Sequence, residues 1–176
     1  MKNLKTLSLL ALGALACSSA FARADAPAPI KAYYAKEDSL MLKGNFEGLK
    51  KLQLDNSTPD YVSISKPDKS GKVRKKTRTE DVAQIDQFSK IIDSVTQSVS
   101  HIDSVTIGKN TATVVVTSTG ELSTKKAAFG DGKAHIMSNT SKSQDTWVKV
   151  GGSWKMKISK ELTDNLKIDG KPAPGG

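Results

Sequence analysis

One stretch, Asp145-Thr-Trp-Val-Lys-Val-Gly-Gly-Ser-Trp-Lys-Met-Lys-Ile158, constrains the fold more than any other part of the chain. Gly151 and Gly152 accept the positive φ angles of a tight hairpin turn, and both flanks alternate large apolar with polar residues at the two-residue period of a strand. With the glycines at the turn, Lys149 lies opposite Trp154 and Trp147 opposite Met156. Trp147, Trp154, Met156 and Ile158 are then expected on one face, which needs a cover. Lys155 and Lys157 with Val148 and Val150 take the other face, as suits a sheet wetted on one side.

The rest of the chain supplies that cover. Pro29 fits the first turn of a helix in which Ile30, Tyr33 or Tyr34, Glu37, Leu40 and Met41 recur at three-to-four spacing up to a stop at Gly44. Asn45 can cap a second, shorter helix through Phe46, Leu49 and Leu52, ended by Asn56-Ser-Thr-Pro59. Tyr61 to Ser65 and Lys72 to Thr77 read as a hairpin around Pro67-Asp-Lys-Ser-Gly71. Thr77 and Glu80 match a capping box, opening a third helix whose stripe of Val82, Ile85, Phe88, Ile91, Ile92 and Val95 is wide enough to lie on a sheet. After Ser98 the period changes. Ile102 to Ile107, Thr111 to Thr119 with a continuation past Gly120, and His135 through Trp147 read as long strands rich in β-branched residues. Residues 159 to 168 carry no decisive pattern, and 169–176 are expected to be a disordered tail.

The length suits one domain, expected over residues 29–168 after an extended linker at 23–28. The single cysteine, Cys17, excludes an internal disulfide framework and a cysteine zinc site. Residues 1–22 have the form of a secretory signal: Lys2 and Lys5, an apolar run from Leu7 to Ala16, and Ala20-Phe-Ala22 for cleavage after Ala22. The expected location is periplasmic or secreted. A lipid anchor on Cys17 is less favoured, because Ala14 stands where a lipobox carries a large aliphatic residue. Removing Lys2 and Lys5 takes the formal charge from +9 to +7. That balance favours solubility or anionic envelope surfaces, and residues 66 to 78, including Lys72, Arg74, Lys75 and Lys76, form the densest candidate anion-binding run. Nothing marks a specific reader of nucleic acid, since that run lacks interleaved aromatics. Asn56-Ser-Thr58 and Asn139-Thr-Ser141 match glycosylation acceptors, relevant only in a eukaryotic secretory host.

The order helix, short helix, hairpin, helix, then long strands closing on a tryptophan-bearing hairpin resembles the nuclear transport factor 2-like (NTF2-like) superfamily. That superfamily includes SnoaL-like and ketosteroid-isomerase-like domains. The resemblance rests on Gly44-Asn-Phe-Glu-Gly-Leu49, Thr58-Pro-Asp-Tyr-Val62 and Trp147-Val-Lys-Val-Gly-Gly-Ser-Trp-Lys155, and spans about residues 28 to 160. It implies an α+β cone, a curved antiparallel sheet covered by three N-terminal helices around a pocket. It also implies use of that pocket for binding or acid-base chemistry, with homodimers formed through the sheet common in the group. Fold alone does not decide between those uses.

An isomerase-like use needs a carboxylate base and a tyrosine or protonated acid to steady an oxyanion. Asp38 or Asp145 could be the base, and Tyr33, Tyr34 or Tyr61 the donor. A pocket for a small apolar ligand or a protein partner would be lined by Tyr34, Tyr61, Trp147, Trp154 and Met156, the alternative for the two tryptophans being that they close the core beneath the helices. His101 and His135 stand far apart without neighbours at ligand spacing, so no metal or other cofactor is expected. No Gly-x-Ser-x-Gly or phosphate-cradling glycine loop is present. The leading expectation is an exported, non-catalytic binding domain, ahead of an isomerase, dehydratase or cyclase and of a binder of anionic envelope polymers.

Overall fold

The structure is a computed structural model that describes residues 25–68 and 70–173. The expected signal at residues 1–22 and Cys17 lie outside the described residues. Among the described residues, no helix is long and apolar enough to cross a membrane.

Helix α1 runs over Ala28–Leu42 with proline in its first turn, and buries Ile30, Tyr33, Tyr34 and Leu40. Helix α2, Phe46–Asn56, starts where the Asn45 side chain accepts from the Gly48 N–H at 2.8 Å. That bond satisfies one of the donors every helix start leaves free. The expected capping box opens α3, Arg78–Ile91: the Thr77 hydroxyl accepts from the Glu80 N–H, and the Glu80 carboxylate accepts from the Thr77 N–H. This helix departs from the expectation in two ways. It ends at Ile91 rather than running on through Val95, because Ile92 is already extended and the β-branched alternation from Ile92 onward belongs to a strand. It also packs on α2 and on strands β1, Ser57–Ile64, and β2, Lys75–Thr77, with none of its residues fully buried.

Four long strands form the body of the sheet: β3 Ile92–Ile107, β4 Thr111–Thr124, β5 Ile136–Val150 and β6 Ser153–Ile168. The order across the sheet is β2-β1-β6-β5-β4-β3, and the short β7, Lys171–Pro172, adds to β6. Part of the segment expected to be a free tail is therefore paired. One junction also differs from an all-antiparallel expectation, since β1 runs parallel to β6. Strands as long as these twist and bend, and bulges set the bend. The β3–β4 ladder shifts register three times and the β5–β6 ladder twice, giving a curved, unclosed sheet whose concave side faces the helices.

The expected hairpin register holds, with Lys149 paired to Trp154 and Trp147 to Met156. A bulge then reverses the next position. Ile158 pairs with Thr146 on the convex side, and Ser159 takes the concave place foreseen for Ile158. The core gathers Ile30, Tyr34, Val114, Val116, Trp147 and Met156 where α1 lies on the central strands. The convex side of those strands is wet, presenting Thr113, Thr117, Lys142 and Gln144, with Lys142 paired to Asp103 at 2.8 Å. Gly151 and Gly152 have φ of +56° and +83°, so Gly151→Ala is expected to lower stability by about 1 kcal/mol. A shifted urea midpoint with an unchanged slope is the check.

The far end of the sheet is held by one histidine. His135 places Nδ1 2.6 Å from an Asp169 carboxylate oxygen and Nε2 2.8 Å from one of Asp131. Carboxylates only accept, so the ring must donate from both nitrogens as an imidazolium. These two bonds accordingly raise the His135 pKa. A raised histidine contributes stability that is full below its unfolded pKa, near 6.5, and is lost as pH rises through the folded value. His135→Gln is therefore expected to destabilise more at pH 5.5 than at pH 8.5. Equal losses at the two pH values would refute the charged clasp.

Candidate functional site

The site is built on the hairpin's concave face. Asp145 is 3% exposed, two residues before Trp147 and so on the same side of β5. Its carboxylate accepts from the Tyr34 hydroxyl at 2.6 Å and from the Ser159 hydroxyl at 2.7 Å. The Trp147 indole N–H in turn donates to the Tyr34 oxygen at 3.3 Å. Tyr33 completes the group, its ring edge-on to Trp147 at 5.2 Å and to Tyr34 at 5.4 Å. Every polar atom in this chain of contacts is tied to another, which fixes the orientation of the buried acid.

Above this floor lies a cavity of about 430 Å³, walled by α1, α2, α3 and the concave sheet. Met41, Phe46, Leu49, Ile85 and Phe88 give it apolar walls. Three carboxylates face it: Glu37 from α1, Asp81 from α3 and Asp145 from β5. Asp81 accepts from the Gln53 amide at 2.7 Å and the Tyr61 hydroxyl at 3.1 Å. No lysine, arginine or histidine is among the lining residues. In a chain with a formal charge of +9, the cavity is the acidic place.

Burial moves Asp145, Glu37 and the three tyrosines in one direction. Desolvation disfavours the charged form, raising Asp145 against the pull of its Tyr34, Ser159 and Ser143 partners. Glu37 is pushed up to about 8, first by desolvation and then by the negative charges of Asp145, Asp38 and Asp81. The hydroxyls of Tyr33, Tyr34 and Tyr61 are all held above the ordinary tyrosine range, again mainly by burial. At neutral pH these three remain proton donors. Glu37 titrates in the range where an acid-base group is useful.

Several residues singled out from the sequence meet here: Tyr33, Tyr34, Tyr61, Asp145 and Met156 line the cavity together. Asp38 does not. Its carboxylate turns to β3, accepting from the Ser100 N–H at 2.8 Å and the Ser98 hydroxyl at 2.9 Å, so it ties α1 to the sheet. The tryptophans also lie elsewhere. Trp147 is 1% exposed and fills the core beneath the floor. Trp154 sits half-buried at the hairpin end with the Lys149 ammonium 5.1 Å from its ring. Of the basic run, Lys72 and Lys75 are exposed, whereas Arg74 and Lys76 reach a recess of about 130 Å³ that shares Ser143 and Ser159 with the cavity. Glu37 and Asp81 were not singled out as site residues. The signal for Glu37 was its place as a carboxylate on the apolar stripe of α1.

Among the described residues, no three histidine, cysteine or acidic side chains gather as a metal site. Comparison with solved structures gives matches over most of the chain. The Kfla4162 protein of Kribbella flavida has a TM-score of 0.61 at 13% identity, over 78% of this chain and 91% of that one. A conserved protein of Planctomyces limnophilus has 0.60 at 11% identity, over 80% and 94%. An NTF2-like protein of Cytophaga hutchinsonii has 0.51 at 18% identity, over 75% and 93%. The fold is NTF2-like. At these identities the likeness extends to the fold alone. No protein-family model matches the chain. No curated protein matches it either.

Proposed function

We propose that this NTF2-like protein acts outside the inner membrane, binding a small amphipathic molecule in the cavity between its helices and its sheet. The observation that carries this reading is the cavity itself, about 430 Å³ with apolar walls and a few fixed polar groups, the usual form of a small-molecule site. The leader-like residues 1–22 support export. A screen of neutral, anionic and cationic amphipaths by thermal shift tests the reading, with Val116→Phe, which fills the floor from the sheet, as the control. At least one class is expected to raise the melting temperature of the native protein and not of the filled variant. No shift from any class would overturn it.

One observation favours a second reading, proton transfer on a bound carbonyl or hydroxy compound. Asp145 is oriented by Tyr34 at 2.6 Å, while Glu37 holds its proton up to about pH 8 across the same space. Such a pair could take a proton from carbon and return one to oxygen, an arrangement worth roughly 10²–10⁴ in rate. The readout is deuterium exchange at the α-carbon of a ketone panel, followed by NMR. Loss of exchange in Glu37→Gln with binding retained would establish turnover, and an absence of exchange across the panel would leave binding as the whole function.

A further inference from the structure

The cavity has a neighbour across Met41 and Phe88. Those two side chains and Ser118 are shared with a second hollow of about 330 Å³ along the far concave face of the sheet. Leu122, Met137 and Leu166 give that extension an apolar floor. It too has no lysine, arginine or histidine in its lining. Within it, the side-chain oxygen of Asn139 is buried and has no hydrogen-bond partner. A buried acceptor left without a donor is costly to the fold.

The two hollows differ in what they can hold. In the first, Tyr34 spends its hydroxyl on Asp145 and Tyr61 spends its own on Asp81, leaving three carboxylates with no facing cation. A carboxylate or phosphate placed there would meet like charge in a partly dry space. A cation would meet three carboxyl groups and no positive side chain, and would favour the ionised form of Glu37. The second hollow is mainly apolar, over Leu122, Met137 and Leu166, with Ser141 and Asp164 among its polar lining residues. We infer that the trough binds an elongated aliphatic amine, its ammonium group between Glu37 and Asp145 and its chain over Met41, Phe88, Leu122 and Leu166.

This inference rests on the proposed binding role and narrows its ligand class. Glu37 supplies a readout beyond affinity, because a cation beside its carboxyl favours the ionised form. Binding at pH 7 is therefore expected to release up to about one proton, seen as a dependence of the calorimetric heat on buffer ionisation enthalpy.

The test uses the full chain with n-alkylamines of about four to ten carbons and the carboxylates of matching length, by isothermal calorimetry. Amines are expected to bind, tightening roughly fourfold per methylene until the extension is full, with carboxylates at least about tenfold weaker. Glu37→Gln should abolish proton release, and Leu122→Asn should flatten the chain-length gain while leaving the shortest amine unchanged. Carboxylates that bind as well as amines would overturn the amine class and leave small-molecule binding standing. Amines that bind with no chain-length gain would overturn the use of the extension. If no compound in either series or in the thermal-shift screen binds, the binding role falls with it.

Discussion

Replacing Trp147 with alanine is expected to lower stability by about 3–5 kcal/mol, a fall of roughly 10 °C in melting temperature for a domain of this size. The indole is 1% exposed and sits at the centre of the core, cross-strand from Met156 on β6 and Ala112 on β4. Two tyrosines of α1 lean edge-on against it, so truncation opens a void at the joint between the helix layer and the sheet. The loss of the N–H bond to Tyr34 adds a smaller amount. Trp147→Phe separates the two effects. It keeps much of the volume, so stability should fall by far less, yet it removes the donor that fixes the Tyr34 oxygen and through it Asp145. Ligand binding in Trp147→Phe should therefore weaken more than its stability does. Urea midpoints for both variants, with amine affinity measured on the folded phenylalanine variant, decide the matter. Equal, small losses for alanine and phenylalanine would show that the indole is not the joint.

The same tryptophan shows what a sequence can and cannot convey here. Alternation around a Gly-Gly turn is local, so the pairing of Trp147 with Met156 could be read from the chain. It could not convey the bulge two residues later, which places Ser159 and not Ile158 beside Asp145, because a bulge depends on how the partner strand is strained. The third helix offers a parallel case: its capping box is a local signal and was legible, while its end at Ile91 was obscured because Ile92 and Val95 fit helical and strand periods alike. The parallel junction of β1 with β6 has no local signature at all, since it depends on where the chain returns after two long hairpins. At the site, Asp145 and the tyrosines were legible from type and face. Asp38 and Glu37 are adjacent on α1, and a difference of about 100° in direction sends one to the serines of β3 and the other into the cavity. The stripe of apolar residues contained that answer, because Glu37 falls on it and Asp38 does not.

That placement carries a second large effect. The Glu37 carboxyl holds its proton up to about pH 8 in the native state, against an unfolded value near 4.5. Between those values the native protein binds more protons than the unfolded chain, so stability must fall as pH rises through the window. Asp145, also raised by burial, acts in the same sense from lower pH. The opposing groups are Asp60, Asp68, Glu80, Asp103, Asp131 and Asp169, whose partners hold them below the usual carboxylate range, and their contribution is lost only as pH falls through those depressed values. The native state is thus expected to be most stable in mildly acid solution. Glu37→Gln should leave stability nearly unchanged at pH 4.5 and raise it at pH 9 by an amount on the order of a few kcal/mol at most. Urea midpoints at pH 4.5, 6.5 and 9 give the comparison, and parallel curves for the two proteins would mean that cavity water solvates the carboxylate as well as bulk water does. A variant that is more stable at alkaline pH and yet no longer releases protons on binding an amine would identify Glu37 as a group whose cost to the fold is offset by what it does for the ligand. In that case the same acid that weakens the apolar stripe of α1 is the one that gives the trough its preference for a cation.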